Sequence, residues 1–287
     1  MAIYDANGEQ LYRAYSADGN ELGYAYDADG NVIFQKEQPI GTPLRAMTYN
    51  VGQWYDGTGS NVPADKDAEY YALQNGMIQS ADADLLFLCE YNATFSKAGR
   101  TAESMLSQYF KYILSQESSV WGRAICSKYP LSNWTHHSYS NETRRYYDSA
   151  EMTVDGKQIT VVVTHLATDA KRNAQVLELI SYLSTLNTFI CAGDFNPITI
   201  SNGKTTDADD YTNIIVPLLN AGFNLVNGST KFVYTYNDVD WWGCLDNIVT
   251  SPNIQITSSY VDETKLTDSI VDERVDHMPL IAELVIY

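Results

Sequence analysis

From Leu44 onward, short apolar runs alternate with polar stretches that carry a helical period. The runs at Arg45 to Tyr49, Asp84 to Cys89, Gly122 to Ser127, Ile159 to Thr164, Thr188 to Ala192, Cys244 to Thr250 and Leu280 to Ile286 read as largely buried strands. Helices are predicted over Asp65 to Ser80, Lys97 to Phe110 and Ala170 to Leu186; in the last, Val176, Ile180 and Leu183 share one face. A fourth is predicted from Asp209, ended or kinked near Pro217. The pattern is mixed α/β, richer in strand in the final third.

The first forty or so residues follow another rule. Tyr4-Asp5-Ala6-Asn7-Gly8, Tyr15-Ser16-Ala17-Asp18-Gly19-Asn20 and Tyr26-Asp27-Ala28-Asp29-Gly30-Asn31 repeat with an 11-residue period. Asn-Gly and Asp-Gly supply the positive φ of primed turns, and the flanking tyrosines with Leu11, Leu22 and Val32 to Phe34 suit strands. The segment is therefore expected to form β-hairpin units. Calcium binding at Asp27-Ala28-Asp29-Gly30 is disfavoured, because the twelfth position of such a loop should be Glu and is Gln38. Pro39 to Pro43 mark a linker, giving expected domains 1–42 and 43–287.

Composition narrows the class. The chain has 287 residues, 45% hydrophobic and 19% charged, enough for a substantial core. No stretch approaches the roughly 18 apolar residues of a membrane span, so no integral membrane association is expected. Eighteen Lys and Arg against 36 Asp and Glu give −18, which argues against a broad basic surface that wraps nucleic acid. A phosphate-bearing substrate would need local help such as a metal ion. Cys89, Cys126, Cys191 and Cys244 are widely spaced and read as buried thiols rather than a disulfide framework. The start lacks a charged n-region and an apolar h-region, so no signal peptide is read in these residues. The Tyr-rich repeats favour a secreted or cell-surface setting, and a monomer is expected.

Candidate chemistry gathers where the apolar runs end. Asn50 follows Ala46 to Tyr49, Glu90 follows Leu85 to Cys89, and His165 follows Val161 to Thr164. Asp194 and Asn196 follow Phe189 to Gly193, Asp246 and Asn247 lie within Leu245 to Val249, and Asp276 and His277 precede Met278-Pro279-Leu280. Each alone is readable as a turn or cap residue. Together they reverse that reading, since loops at strand ends commonly carry the site in α/β folds.

In this order the motifs resemble the endonuclease/exonuclease/phosphatase superfamily, the DNase I-like proteins. They are Met47-Thr48-Tyr49-Asn50, Leu88-Cys89-Glu90, Arg123-Ala124-Ile125-Cys126-Ser127-Lys128-Tyr129-Pro130, Thr164-His165-Leu166, Gly193-Asp194-Phe195-Asn196, Leu245-Asp246-Asn247-Ile248 and Val275-Asp276-His277-Met278-Pro279. Cys89 stands where Gln is common and Val275 where Ser is common; the repeats lie outside the resemblance. The resemblance implies two mixed β-sheets packed face to face and flanked by helices, a DNase I-like sandwich, preceded by the short β-hairpin segment. It implies Mg²⁺ or Mn²⁺ held by Glu90 with Asn50 and Asp276 close by, a ligand set of the kind Mg²⁺ prefers. It further implies that Asp194, assisted by Asn196, orients and deprotonates water while His277 and His165 serve the phosphoryl oxygens and leaving group. Asp246 would orient a histidine or join a second metal position.

Substrate is less sharply indicated. A histidine at position 165 resembles the DNase I, sphingomyelinase and inositol-phosphatase branches rather than the abasic-site endonucleases, which carry tyrosine there. Arg144 and Arg145 are candidate phosphate contacts, with Lys171 and Arg172 second to them, although both pairs fit a strand start and an exposed helix face. Trp241 and Trp242 are candidates to stack on a base or sugar or to meet a lipid surface. His136 and His137, in the polar stretch Ser132 to Asn141, are expected to be solvated loop residues. The expected activity is metal-dependent phosphoester hydrolysis, nuclease- or phosphodiesterase-like, possible partners including nucleic acid. Alternatives are a phosphomonoesterase of the inositol-phosphatase kind, a sphingomyelinase-like phospholipase, or a repeat-based binding protein on an inactive hydrolase scaffold.

Overall fold

The computed structural model describes residues 3–4, 10–11, 24–26, 32–35, 41–52, 67–97, 99–115, 121–141, 145–197, 200–201, 204–205, 211–228, 234–237, 242–264 and 277–287. The chain divides into two compact units, Met1–Gly41 and Thr42–Tyr287. In the first, Ile3–Tyr4 pairs antiparallel with Gln10–Leu11, and Tyr24–Tyr26 with Val32–Gln35. The turns of the repeats lie outside the described residues.

The second unit places twelve strands in two six-stranded mixed sheets. In chain order they are β1 (Thr42–Asn50), β2 (Leu85–Tyr91), β3 (Tyr112–Ser115), β4 (Gly122–Ser127), β5 (Leu131–Ser138) and β6 (Tyr146–Val154). Then follow β7 (Lys157–His165), β8 (Phe189–Asp194), β9 (Asn224–Leu225), β10 (Asp246–Thr250), β11 (Ile254–Val261) and β12 (Leu280–Ile286). The first sheet runs β11-β12-β1-β2-β4-β3 and the second β5-β6-β7-β8-β10-β9. Each is built on one parallel pair, β1 with β2 and β7 with β8; the other neighbours are antiparallel. A helix bridges each parallel pair, α1 (Asp67–Ala81) the first and α3 (Lys171–Leu183) the second, as a parallel connection requires.

The inner faces meet in a core of Leu44, Ala46, Leu85, Phe87 and Ile125 against Val161, Val163, Ile190, Ala192 and Ile248. On the outer face of the first sheet, Met47, Tyr49, Leu86 and Leu88 pack on Met77 and Ile78 of α1 and on Met105 and Leu106 of α2 (Ala102–Leu106). On the second, Val162, Cys191 and Val249 pack on Val176, Leu179 and Leu183 of α3, whose spacing keeps one face inward. Central strands covered on both faces need apolar residues at every position, which is why they appear in the sequence as continuous runs. All four cysteines are buried free thiols. Among the described residues no helix is long and apolar enough to cross a membrane.

Several expectations change. The helix over Lys97 to Phe110 contracts to α2, because Ser96–Lys97 pairs with Arg100–Thr101 as a ribbon. Thr101 and Ser104 cap that helix reciprocally, at 3.0 and 2.9 Å, which fixes where it starts. The expected fourth helix is a π-helical turn, Tyr211–Ile215, that passes into α4 (Val216–Asn220) beside Pro217, which sits in the first turn of α4 where its missing N–H costs nothing. His136 and His137 lie on strand β5, not in a loop, and bond to Asp148 and Ser149 of β6. Arg172 is buried rather than on an exposed helix face, its Nη1 donating to Thr168 O at 2.6 Å.

Candidate active site

The topology brings six chain positions to one end of the sandwich. Asn50 ends β1 and Glu90 is the penultimate residue of β2 beside it, while His165 and Asp194 end the parallel pair β7 and β8 in register with each other. Antiparallel neighbours start where these strands stop: Asp246 opens β10 opposite Asp194, and His277 lies just before β12. Close approach within the second pair depends on Gly193, at φ 144°, where a Cβ would lie 1.9 Å from Thr164 O. The sharp Gly193-Asp194 sequence is therefore a packing requirement that delivers a carboxylate.

Asp194 Oδ2 is the point of convergence. Asn50 Nδ2 donates to it at 3.2 Å, His165 Nε2 lies 3.4 Å away and His277 Nε2 3.7 Å away. Its Oδ1 accepts from the Asn196 N–H at 2.9 Å, with Asn196 at φ 50° and its side-chain Nδ2 held by Leu166 O at 2.9 Å. His277 Nδ1 sits 2.7 Å from Asp246 Oδ2, and Asp246 N donates to Thr235 Oγ1 at 2.9 Å. With Nδ1–H given to Asp246, Nε2 is the acceptor that faces Asn50 Nδ2 at 3.4 Å. Tyr236 meets the His277 ring edge-on at 5.1 Å, and Met278 N donates to Thr235 O at 2.6 Å. Asp194, His165, Asp246, His277, Asn196 and Asn50 are all buried.

Burial first, then the charge of Asp246, pushes the Asp194 carboxyl up to about 7, with His277 pulling the other way and Glu90 adding to the rise. Burial also lowers His165 well below the ordinary imidazole range, reinforced by the positive charges of Arg145 and Arg123. Asp246 Oδ1 is buried with no hydrogen-bond partner among the described residues. One ligand atom from each of Asp194, Asp246 and His277 lies within 4.8 Å of the others. Two carboxylates and an imidazole around an unmet carboxylate oxygen fit a divalent cation, whose charge offsets the repulsion that raises Asp194.

No family profile matches the chain, and neither does any curated protein sequence. Solved structures do match. An endonuclease/exonuclease/phosphatase from Beutenbergia cavernae superposes with TM-score 0.62 at 15% identity, over 85% of this chain and 72% of that one. TDP2 from D. rerio, complexed with single strand DNA product, gives 0.63 at 13%, over 85% and 99%. The human Nocturnin catalytic domain with bound sulfate gives 0.61 at 19%, over 84% and 93%. The chain has the DNase I-like fold of endonuclease/exonuclease/phosphatase proteins.

On this DNase I-like frame the expected site residues separate into groups. Asn50, His165, Asp194, Asn196, Asp246 and His277 form one cluster, and Glu90 acts on it electrostatically. Glu90 has φ 51° at a bulge where Gly122 faces Tyr91 and Arg123 faces Cys89, so one extra residue re-aims its carboxylate. Arg145 immediately precedes β6 and adds positive charge near His165. Asp276, Arg144 and Trp241 lie outside the described residues, as does the side chain of Trp242. Thr235 and Tyr236, which brace Asp246 and His277, carried no signal in the sequence, being ordinary residues in an irregular stretch. Arg123 stands in one of the motifs without a role, and Asp148 in none; a charged residue within a buried strand is the signal that finds both.

Proposed function

We propose that the protein is a metal-dependent phosphoester hydrolase with a phosphodiester as its preferred substrate. The observation that carries this reading is the convergence of Asn50, His165 and His277 on Asp194 Oδ2, backed by the Asp246–His277 pair. A divalent cation, Mg²⁺ or Mn²⁺, held by Asp246 Oδ1 and Glu90 with Asn50 at hand, would supply Lewis-acid stabilisation of phosphoryl charge and leave His277 free to carry a proton.

The chain's own groups do the rest. Asp194, with a carboxyl near neutral in affinity for protons, accepts the proton of the attacking water, whose oxygen bonds to phosphorus as the ester P–O bond breaks. His277 in its protonated form gives a proton to the departing oxygen, and Asp246 holds the ring and stabilises the imidazolium. His165, kept neutral by burial, donates a hydrogen bond to a phosphoryl oxygen. Passing the proton from Asp194 Oδ2 to His277 Nε2, 3.7 Å away, resets both groups. Net charge of −18 favours a short or small diester over a long polymer held by its backbone, and TDP2, a DNA-bound neighbour, supports a nucleotide-derived one.

The test is hydrolysis of bis-p-nitrophenyl phosphate, p-nitrophenyl phosphate, plasmid DNA, RNA, sphingomyelin and inositol polyphosphates by wild type and Glu90→Ala, with and without EDTA. Cleavage of a diester that EDTA and the substitution both abolish is the expected result. Preference for a monoester or for sphingomyelin moves the substrate class. No cleavage by a folded, Mg²⁺-loaded protein overturns the reading in favour of a binding protein.

A further inference from the structure

A second buried ionic group, which the proposed reaction does not use, acts on His165. Arg123, the second residue of β4, lies opposite Cys89, the neighbour of Glu90, and its Nε donates to Asp148 Oδ2 of β6 at 3.3 Å. His136 of β5 places Nδ1 2.8 Å from the other oxygen, Asp148 Oδ1. The Tyr146 ring packs against both partners, the guanidinium carbon 3.1 Å from its centroid and the His136 ring 4.3 Å away. Side-chain exposure is 1% for Arg123 and 0% for Asp148, but 41% for His136, so only the histidine exchanges protons directly with solvent. Arg123 Nη2 is buried without a hydrogen-bond partner among the described residues.

Burying such a pair is costly unless its members are fully met, and this one is not. Its place accounts for the cost: the positive charges of Arg123 and Arg145 act on His165, where phosphoryl charge would lie in the proposed reaction. The carboxylate alone would cancel that benefit. With His136 neutral, Asp148 and Arg123 sum to zero; with His136 protonated, the trio carries one net positive charge.

We propose, resting on the phosphoester reading, that Asp148 and His136 are positioning residues for an anion-responsive wall. Asp148 fixes Arg123 in place, and His136, by sharing that carboxylate, sets how much of the Arg123 charge acts on an anion bound beside His165. The groups around His136 leave little else to do this. From β6 they are Asp148 and Tyr146, from β4 Arg123, and from its own strand His137, which faces Ser149 and Tyr147 instead. The described part of β3, also packed on β5, brings only Tyr112 as a titratable side chain. Arg145, next to Tyr146, keeps its charge throughout.

The experiment measures sulfate binding by calorimetry to the Mg²⁺-loaded protein, and sulfate inhibition of diester hydrolysis, from about pH 5.5 to about pH 8, where histidine changes charge. Sulfate keeps its own charge over that range. Wild type should bind sulfate more tightly as pH falls, and His136→Gln should lose about three- to tenfold of that gain. In steady-state kinetics the substitution should move KM more than kcat. Asp148→Asn should bind sulfate more tightly at about pH 8 than wild type and flatten the profile; should it fail to fold, His136→Gln decides alone. Superimposable sulfate profiles for wild type and His136→Gln would overturn the proposal. Absence of hydrolysis with the sulfate difference intact would instead strike at the phosphoester reading, so the two failures are separable.

Discussion

His277 and His136 each present Nδ1 to a buried carboxylate, at 2.7 Å to Asp246 and 2.8 Å to Asp148. The two groups differ in what surrounds them. Around Asp246 a second carboxylate, Asp194, shares the space, and the atom left without a partner is an acceptor, Asp246 Oδ1. Around Asp148 a guanidinium shares the space, and the atom left without a partner is a donor, Arg123 Nη2. Among the described residues the unmet atom is an acceptor in one group and a donor in the other, so the first suits a cation and the second an anion. A metal ion with a phosphate answers both needs, and the contrast teaches that unmet buried atoms of opposite sign can indicate a ligand class.

The largest effect that could break this contrast is on catalysis at the carboxylate-rich group. Asp194→Asn should lower diester hydrolysis by about 10³- to 10⁴-fold while preserving the fold, as loss of a general base does. A loss under about tenfold would remove Asp194 from that role. Asp246→Asn should cost about 10²- to 10³-fold in kcat, and a thermal shift on adding Mg²⁺ should shrink with it, because His277 loses its orienting partner and the cation a ligand.

Next comes geometry. Gly193→Ala should destabilise the protein by about 3 kcal/mol or more in urea unfolding, since its Cβ would meet Thr164 O at 1.9 Å. An unchanged midpoint would show that His165 and Asp194 do not need this close approach.

Smaller still is the pH dependence of the metal-free protein. The native carboxyl of Asp194 binds its proton more tightly than the unfolded one, at about 7 against roughly 3.9. Its contribution to stability is therefore present at low pH and lost as pH rises through about 7. Asp194→Asn should exceed metal-free wild type in stability by on the order of 1–2 kcal/mol at about pH 8, the gap closing near pH 4. The opposite slope would mean that Asp194 is not crowded by Asp246. The least effect expected is that of His136→Gln, confined to the pH profile of anion binding.

How far these groups are legible in the sequence follows from where they sit. Asn50, His165 and Asp194 end central strands covered on both faces, so an apolar run stops at a polar residue and announces it. Strands β5 and β11 are sheet edges with polar, partly exposed residues at alternate positions, and nothing in their composition separates them from loops. Asp148 sits inside a strand of the second sheet and meets Arg123 of the first, a pairing only the packing of the two sheets creates. The bulge at Glu90 is likewise a property of two strands together.

The most direct test of the central contrast is the initial rate of bis-p-nitrophenyl phosphate hydrolysis against Mg²⁺ concentration, for wild type and Asp246→Asn. A saturable rate that EDTA abolishes and that falls at least about a hundredfold in the variant is the predicted result. A rate indifferent to EDTA, or one the variant retains in full, would contradict the account.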